Sequence, residues 1–121
     1  MGSQSYKDLL VWQKSITLCM EVYQLCEAFP KSELYGLADQ MKRAAVSVAS
    51  NIAEGQGRQH LREFINFISV ANGSLAELDT QRIIAENLCF ISPEKSTHLD
   101  QSITEVRKML YALNAKLKAN N

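Results

Sequence analysis

Few side chains in this 121-residue chain could do chemistry: two histidines, three cysteines, and thirteen carboxylates set against thirteen lysines and arginines. A carboxylate-bridged di-metal centre needs Glu-x-x-His pairs, which put a carboxylate and an imidazole on one helix face a turn apart. Neither His60 nor His98 follows a glutamate by three, so no metal site is expected. Cys19, Cys26 and Cys89 have no histidine at local spacing, and no G-x-S-x-G elbow occurs. Cys19 and Cys26 lie seven apart on one helix, roughly 10 Å along its axis, too far to bridge. All three are read as reduced, buried thiols of a cytoplasmic protein. Gly55 and Gly57 lack the lysine and hydroxyl residue of a phosphate loop, so they are read as a helix stop. The expectation is a protein that is not an enzyme and has no cofactor.

Polar residues at helical spacing carry more information. Gln40, Arg43, Ser47, Ser50, Asn51 and Glu54 recur in steps of three and four, interleaved with Ala44, Ala45, Ala49 and Ala53. Such a stripe is either a solvated face, the lining of a pocket, or a hydrogen-bonding seam between subunits, with Ser47 and Asn51 as its contacts. Asn72, Asp79 and Arg82 fall within or beside an apolar arc, where an unpaired charge would cost several kcal/mol. They are read as a structural polar network. Lys42, Arg43, Arg58 and Arg62, with His60, are the candidate footprint for RNA or DNA. A formal net charge of zero counts against strong binding by phosphate neutralisation.

Four helices must position these residues, over about 8–29, 33–54, 60–87 and 93–118. Ser5 can cap the first and Pro30 ends it; Ser32 and Glu33 suit the start of the second. Leu61, Phe64, Ile68, Ala71, Leu75 and Leu78 alternate at bundle-seam spacing in the third. Ser92-Pro93-Glu94 opens the fourth, whose stripe is Leu99, Ile103, Val106, Leu110, Leu113 and Leu117. No strand pattern competes. Short connections make consecutive helices antiparallel neighbours. The fold class is therefore all-α, a single-domain, antiparallel up-down-up-down four-helix bundle. No apolar run approaches the roughly 18 residues of a membrane span, and no charged-then-apolar leader opens the chain.

The first helix is apolar over roughly 200° of arc, about twice what one core covers. One stripe is Leu9, Trp12, Ile16, Cys19, Met20, Tyr23 and Cys26; the other is Val11, Leu18, Val22, Leu25 and Phe29. The surplus implies burial against further copies of the chain. Val11, Leu18, Val22 and Leu25 are the residues expected at that contact.

Three ordered stretches carry a family resemblance. They are Ser5-Tyr6-Lys7-Asp8-Leu9-Leu10-Val11-Trp12-Gln13-Lys14-Ser15, the run from Arg43 to Gly55 with Gly57-Arg58, and the run from Gly73 to Gln81. Together they resemble the bacterial 23S rRNA intervening-sequence proteins, sometimes labelled ribosomal proteins, over Ser5 to about Pro93. The resemblance implies a four-helix bundle in a ring-shaped homopentamer, with no agreed enzymatic activity. Ala49 stands where that family usually carries proline. Related proteins act as accessory factors of diversity-generating retroelements through a basic surface, which makes an RNA- or DNA-binding module the alternative reading.

Overall fold

The chain enters its first helix through a 3-10 turn, Tyr6–Asp8, where the Lys7 amide donates to the Ser5 hydroxyl at 3.1 Å. The computed structural model describes residues 5–120; residues 1–4 and 121 of the single domain read over 1–121 lie outside them. Four helices follow: α1 (Leu10–Cys26), α2 (Leu37–Gln56), α3 (Leu61–Asn87) and α4 (Pro93–Ala119). The contacts run α1–α2, α2–α3, α3–α4 and α4–α1, with no diagonal pairing among the described residues. The helices therefore stand at the corners of a square, antiparallel in sequence order. All of the described residues outside these helices are turns and connections, and no strand occurs among them.

The first helix is shorter than the expected 8–29, running Leu10–Cys26, and the second differs from expectation at both ends. The second helix does not begin at residue 33. Lys31–Glu33 forms a separate 3-10 turn, and α2 starts at Leu37, whose amide is reached by the Glu33 carboxylate at 3.4 Å. Leu34 is consequently exposed rather than in the core. At the other end α2 runs through Gly55 into Gln56, so Gly55 is not a stop. It is buried where α2 crosses α3. A Cβ there would lie 2.7 Å from Phe67 Cβ and 2.9 Å from Phe64 Cδ1, so the absent side chain is what lets the two helices approach.

The fourth helix begins as its signal indicates, with the Ser92 hydroxyl accepting from the Lys95 amide at 3.2 Å and Pro93 in the first turn. At the C-terminal end of α3, Cys89 takes a left-handed backbone (φ 62°), and the Phe90 amide bonds back to Ala85 at 2.8 Å. This is the glycine-type helix ending built with a cysteine. Cys89 is exposed, which corrects the expectation of three buried thiols; Cys26 is buried and Cys19 half-buried. Burial pushes the Cys26 thiol up to about 11 and raises that of Cys19, so both stay protonated at neutral pH.

The core is a single cluster drawn from all four helices, including Val22, Met41, Val48, Ile52, Ile68, Leu75, Leu78, Leu99, Ile103 and Leu110. Phe29 and Phe90 close one end as a tilted pair with centroids 5.5 Å apart.

Candidate functional surface

The first helix does carry more apolar surface than its own bundle covers, but on the opposite face from the one expected. Val11, Leu18 and Val22 point into the protomer's core, with exposures of 5%, 1% and 0%. Leu25 is half-buried against that core. These residues are not available to a second copy. The inward stripe continues through Ser15, whose hydroxyl is buried yet satisfied by the Val11 carbonyl at 2.7 Å. The uncovered stripe is Ile16, Met20 and Tyr23, with exposures of 38%, 58% and 43%; Leu10 is also exposed but lies about 120° away, on the polar face.

On the α2 side of this stripe lies an open groove of about 290 Å³. Tyr6, Trp12, Ile16 and Cys19 form one wall; Val46, Ala49, Ser50 and Ala53 form the other. Tyr6 and Trp12 meet edge to face at 5.3 Å between centroids, which holds the aromatic wall upright. Small residues on α2 keep the floor low. Ala49, Ser50 and Ala53 of the polar stripe thus serve the α1 side of α2, while Ser47 and Asn51 serve the other. A second exposed apolar pair, Ile84 and Leu88, stands at the C-terminal end of α3, at the diagonally opposed corner.

Ser47 and Asn51 are committed inside the protomer. Ser47 Oγ lies 2.8 Å from Ser74 Oγ on α3, and Asn51 Nδ2 donates to the Ser47 hydroxyl at 3.0 Å and its carbonyl at 2.7 Å. The seam they form joins α2 to α3. Farther along α3, Gln81 is buried, and its Oε1 has no hydrogen-bond partner.

The proposed nucleic-acid footprint is not one patch. Arg43 pairs with Asp39 at 2.9 Å, and the Lys42 ammonium sits 5.0 Å above the Tyr23 ring. Arg58 pairs with Glu54 at 2.9 Å and stacks over Phe67 at 4.9 Å. Arg43 and Arg58 are separated by most of α2, about 22 Å at the helical rise per residue. Arg62 lies in the first turn of α3.

Asp79 and Arg82 belong to a larger ionic group than sequence spacing suggested. Arg82 reaches Asp79 at 2.9 Å, Asp100 at 3.6 Å and Glu86 at 3.8 Å, and it donates to the Ser96 hydroxyl at 2.8 Å. Arg107 approaches Asp79 from α4 at 3.9 Å. The group ties α3 to α4. Asn72 is not part of it; it lines a separate cleft with Asn114 and Lys118.

A polar site that sequence reasoning missed joins the first helix to the last. Glu21 accepts from the Ser102 hydroxyl at 2.7 Å and pairs with His98 Nδ1 at 2.6 Å. His98 follows Glu21 by 77 residues, so no local spacing could have linked them. The hydrogen bond to Glu21 and its negative charge raise the His98 pKa. A raised folded-state pKa contributes stability that is complete below the ordinary histidine value and is lost as pH rises through the folded value. His98→Gln is therefore expected to lower the melting temperature at pH 6 and to leave it unchanged at pH 9, by thermal denaturation at low salt. An equal difference at both pH values would show that the charge is irrelevant. Nor is this a Ser-His-acid triad: serine and histidine both bond the carboxylate, and the Ser102 hydroxyl meets His98 at its backbone carbonyl, 3.2 Å away, not at the imidazole.

Among the described residues, no group of three or more His, Cys, Asp or Glu could hold a metal ion, and no helix is long and apolar enough to cross a membrane. A family model described as 23S rRNA-intervening sequence protein matches residues 7–112. The structure is similar to the crystal structure of a protein with unknown function from the S23 ribosomal protein family of Bacteroides thetaiotaomicron. The TM-score is 0.82 at 20% identity, covering 88% of this chain and 96% of the other. At that identity the likeness speaks for the four-helix fold. No curated protein matches.

Proposed function

This chain belongs to the 23S rRNA-intervening sequence protein family, and on that premise we propose that it works as a self-associating, non-catalytic bundle whose copies meet through the outward stripe of α1. One observation carries the reading: Ile16, Met20 and Tyr23 are exposed on a helix whose other apolar face already fills the core. Contiguous exposed apolar surface of this kind marks a contact in soluble proteins. The groove beside it, walled by Trp12 and floored by Ala49 and Ala53, would receive side chains from a neighbour.

The complementary surface would be Ile84 and Leu88 at the C-terminal end of α3. Two different patches on one protomer favour head-to-tail contacts, which close into a ring when the rotation permits. That geometry agrees with the homopentamer implied by the family resemblance. Cys19 would act there as an apolar contact, since burial keeps its thiol protonated. The four cations of the alternative footprint lie at two ends of α2, three of them already engaged, which does not favour a nucleic-acid reading at that place.

Ile16→Glu combined with Met20→Glu is expected to reduce the assembly to single chains without unfolding them, because both side chains are outside the core. Light scattering after size exclusion measures the mass, and circular dichroism the helix content. Native protein running at one-chain mass, or a double variant that stays assembled, would reject the proposal. Leu18→Glu and Val22→Glu would not test it, since both would unfold the protomer.

A further inference from the structure

The polar clusters so far described satisfy one another, but one does not. Between α3 and α4 lies a cleft of about 260 Å³ whose floor is Ile65 and the buried Ile68. Its rim carries three carboxamides, Asn66, Asn72 and Asn114, with the hydroxyl of Ser69 and the ammonium of Lys118. On α3 Asn66, Ser69 and Asn72 recur at steps of three, and Asn114 and Lys118 stand one turn apart on α4. In the structure, none of the five rim side chains has a hydrogen-bond or ion-pair partner among the described residues. Asn72 and Asn114 are half-buried, with their carboxamides free to bond a ligand.

The chemistry of the rim narrows what it would take. No carboxylate lines the cleft. A neutral sugar, whose hydroxyls need strong acceptors, is therefore poorly served. An ammonium facing uncharged amides calls for an anionic group at one end of the ligand. Carboxamides present a donor and an acceptor side by side, the pattern that pairs with the donor and acceptor on the edge of adenine. Guanine shows two adjacent acceptors there and is better met by arginine. The isoleucine floor offers a planar ring an apolar surface to lie on.

We propose that this α3–α4 cleft binds an adenine nucleotide, with Asn72 and Asn114 reading the base edge and Lys118 meeting the phosphate. The chemistry is the same whether the nucleotide is free or part of a single-stranded RNA. The site is separate from the outward stripe of α1 and from the Lys42, Arg43, Arg58 and Arg62 footprint, and on α3 Asn72 stands about 18 Å along the helix from Ile84.

Titration of the full chain with AMP, GMP, ribose 5-phosphate and a short oligoadenylate tests it, followed by calorimetry and by amide chemical shifts. AMP is expected to bind, to shift the signals of Asn72 and Asn114, and to bind about tenfold tighter than GMP. Asn72→Ala and Lys118→Ala should each weaken AMP by about tenfold while leaving the melting temperature near that of the parent. Oligoadenylate binding tighter than AMP identifies RNA as the source, and equal affinity identifies the free nucleotide; either supports the cleft. Absence of any shift at Asn72 and Asn114 with both adenine ligands overturns the proposal. Ribose 5-phosphate binding as well as AMP, or affinity untouched by Asn72→Ala, would do the same.

Discussion

Gly55→Ala is expected to cost roughly 2 kcal/mol and to lower the melting temperature by roughly 8 °C. In most helices the same change would stabilise, because alanine is the better helix former by about 1 kcal/mol. Here the new methyl would arrive 2.7 Å from Phe67 Cβ and 2.9 Å from the Phe64 ring. The ring can turn aside, but Phe67 Cβ is fixed to the α3 backbone, so the two helices must separate. The molecule contains its own control. At Gly73, also inside a helix, a Cβ would meet nothing within 4 Å, and Gly73→Ala should stabilise by about 1 kcal/mol. Chemical denaturation of the two variants measures both signs. Two variants that shift stability in the same direction would show that α2 and α3 do not approach as closely as described.

The second large effect belongs to Arg82. Arg82→Met should destabilise by about 2–3 kcal/mol, because it leaves Asp79, Asp100 and the Ser96 hydroxyl facing one another without their shared donor. The arginine is only 12% exposed, whereas Asp79 is 27% and Asp100 49% exposed. Water can therefore relieve part of the loss, which places the value below that of a fully buried pair. Arg107→Met, removing a cation 45% exposed and 3.9 Å from Asp79, should cost about 0–1 kcal/mol. Urea titration of both variants gives the comparison. If they lose equal stability, Arg82 is not the centre of the group.

How far the sequence foretells this molecule differs from helix to helix. The fourth helix was legible to the residue at its start, because Ser92, Pro93 and Glu94 each act through local backbone chemistry. The start of α2 was not, since Ser32 and Glu33 cap a separate 3-10 turn and look the same in sequence as a helix opening. Gly55 was ambiguous for a physical reason: a glycine that stops a helix and a glycine that admits a neighbour both work by lacking a side chain. In α1 the excess of apolar residues was visible, but periodicity alone cannot say which of two apolar stripes faces in. The buried stripe proved to be the one through Ser15, a residue whose hydroxyl can return to its own backbone. Trp12, Met20 and Tyr23 lie on the other.

Site residues followed the same rule. Asp79 and Arg82, one turn apart, could be paired from spacing, whereas Ser96, Asp100 and Arg107 join them from another helix. Asn72 looked like a member of that group and is not, because its turn of α3 faces the lower part of α4, beside Asn114 and Lys118. The contact between Glu21 and His98 had no local trace at all.

That last contact bears on how the chain opens and closes. The hydrogen bonds that Glu21 makes with His98 and Ser102 span 77 and 81 residues, most of the described length, while α2 and α3 are joined by a short connection and packed through Gly55. Closing the long circuit carries the larger entropic cost and has the smallest helix–helix contact to offset it. The middle hairpin is thus the durable unit, and the edge where first helix meets last is the one that detaches at least cost. Hydrogen exchange would follow that order, with the amides of α1 and α4 trading their protons before those of α2 and α3.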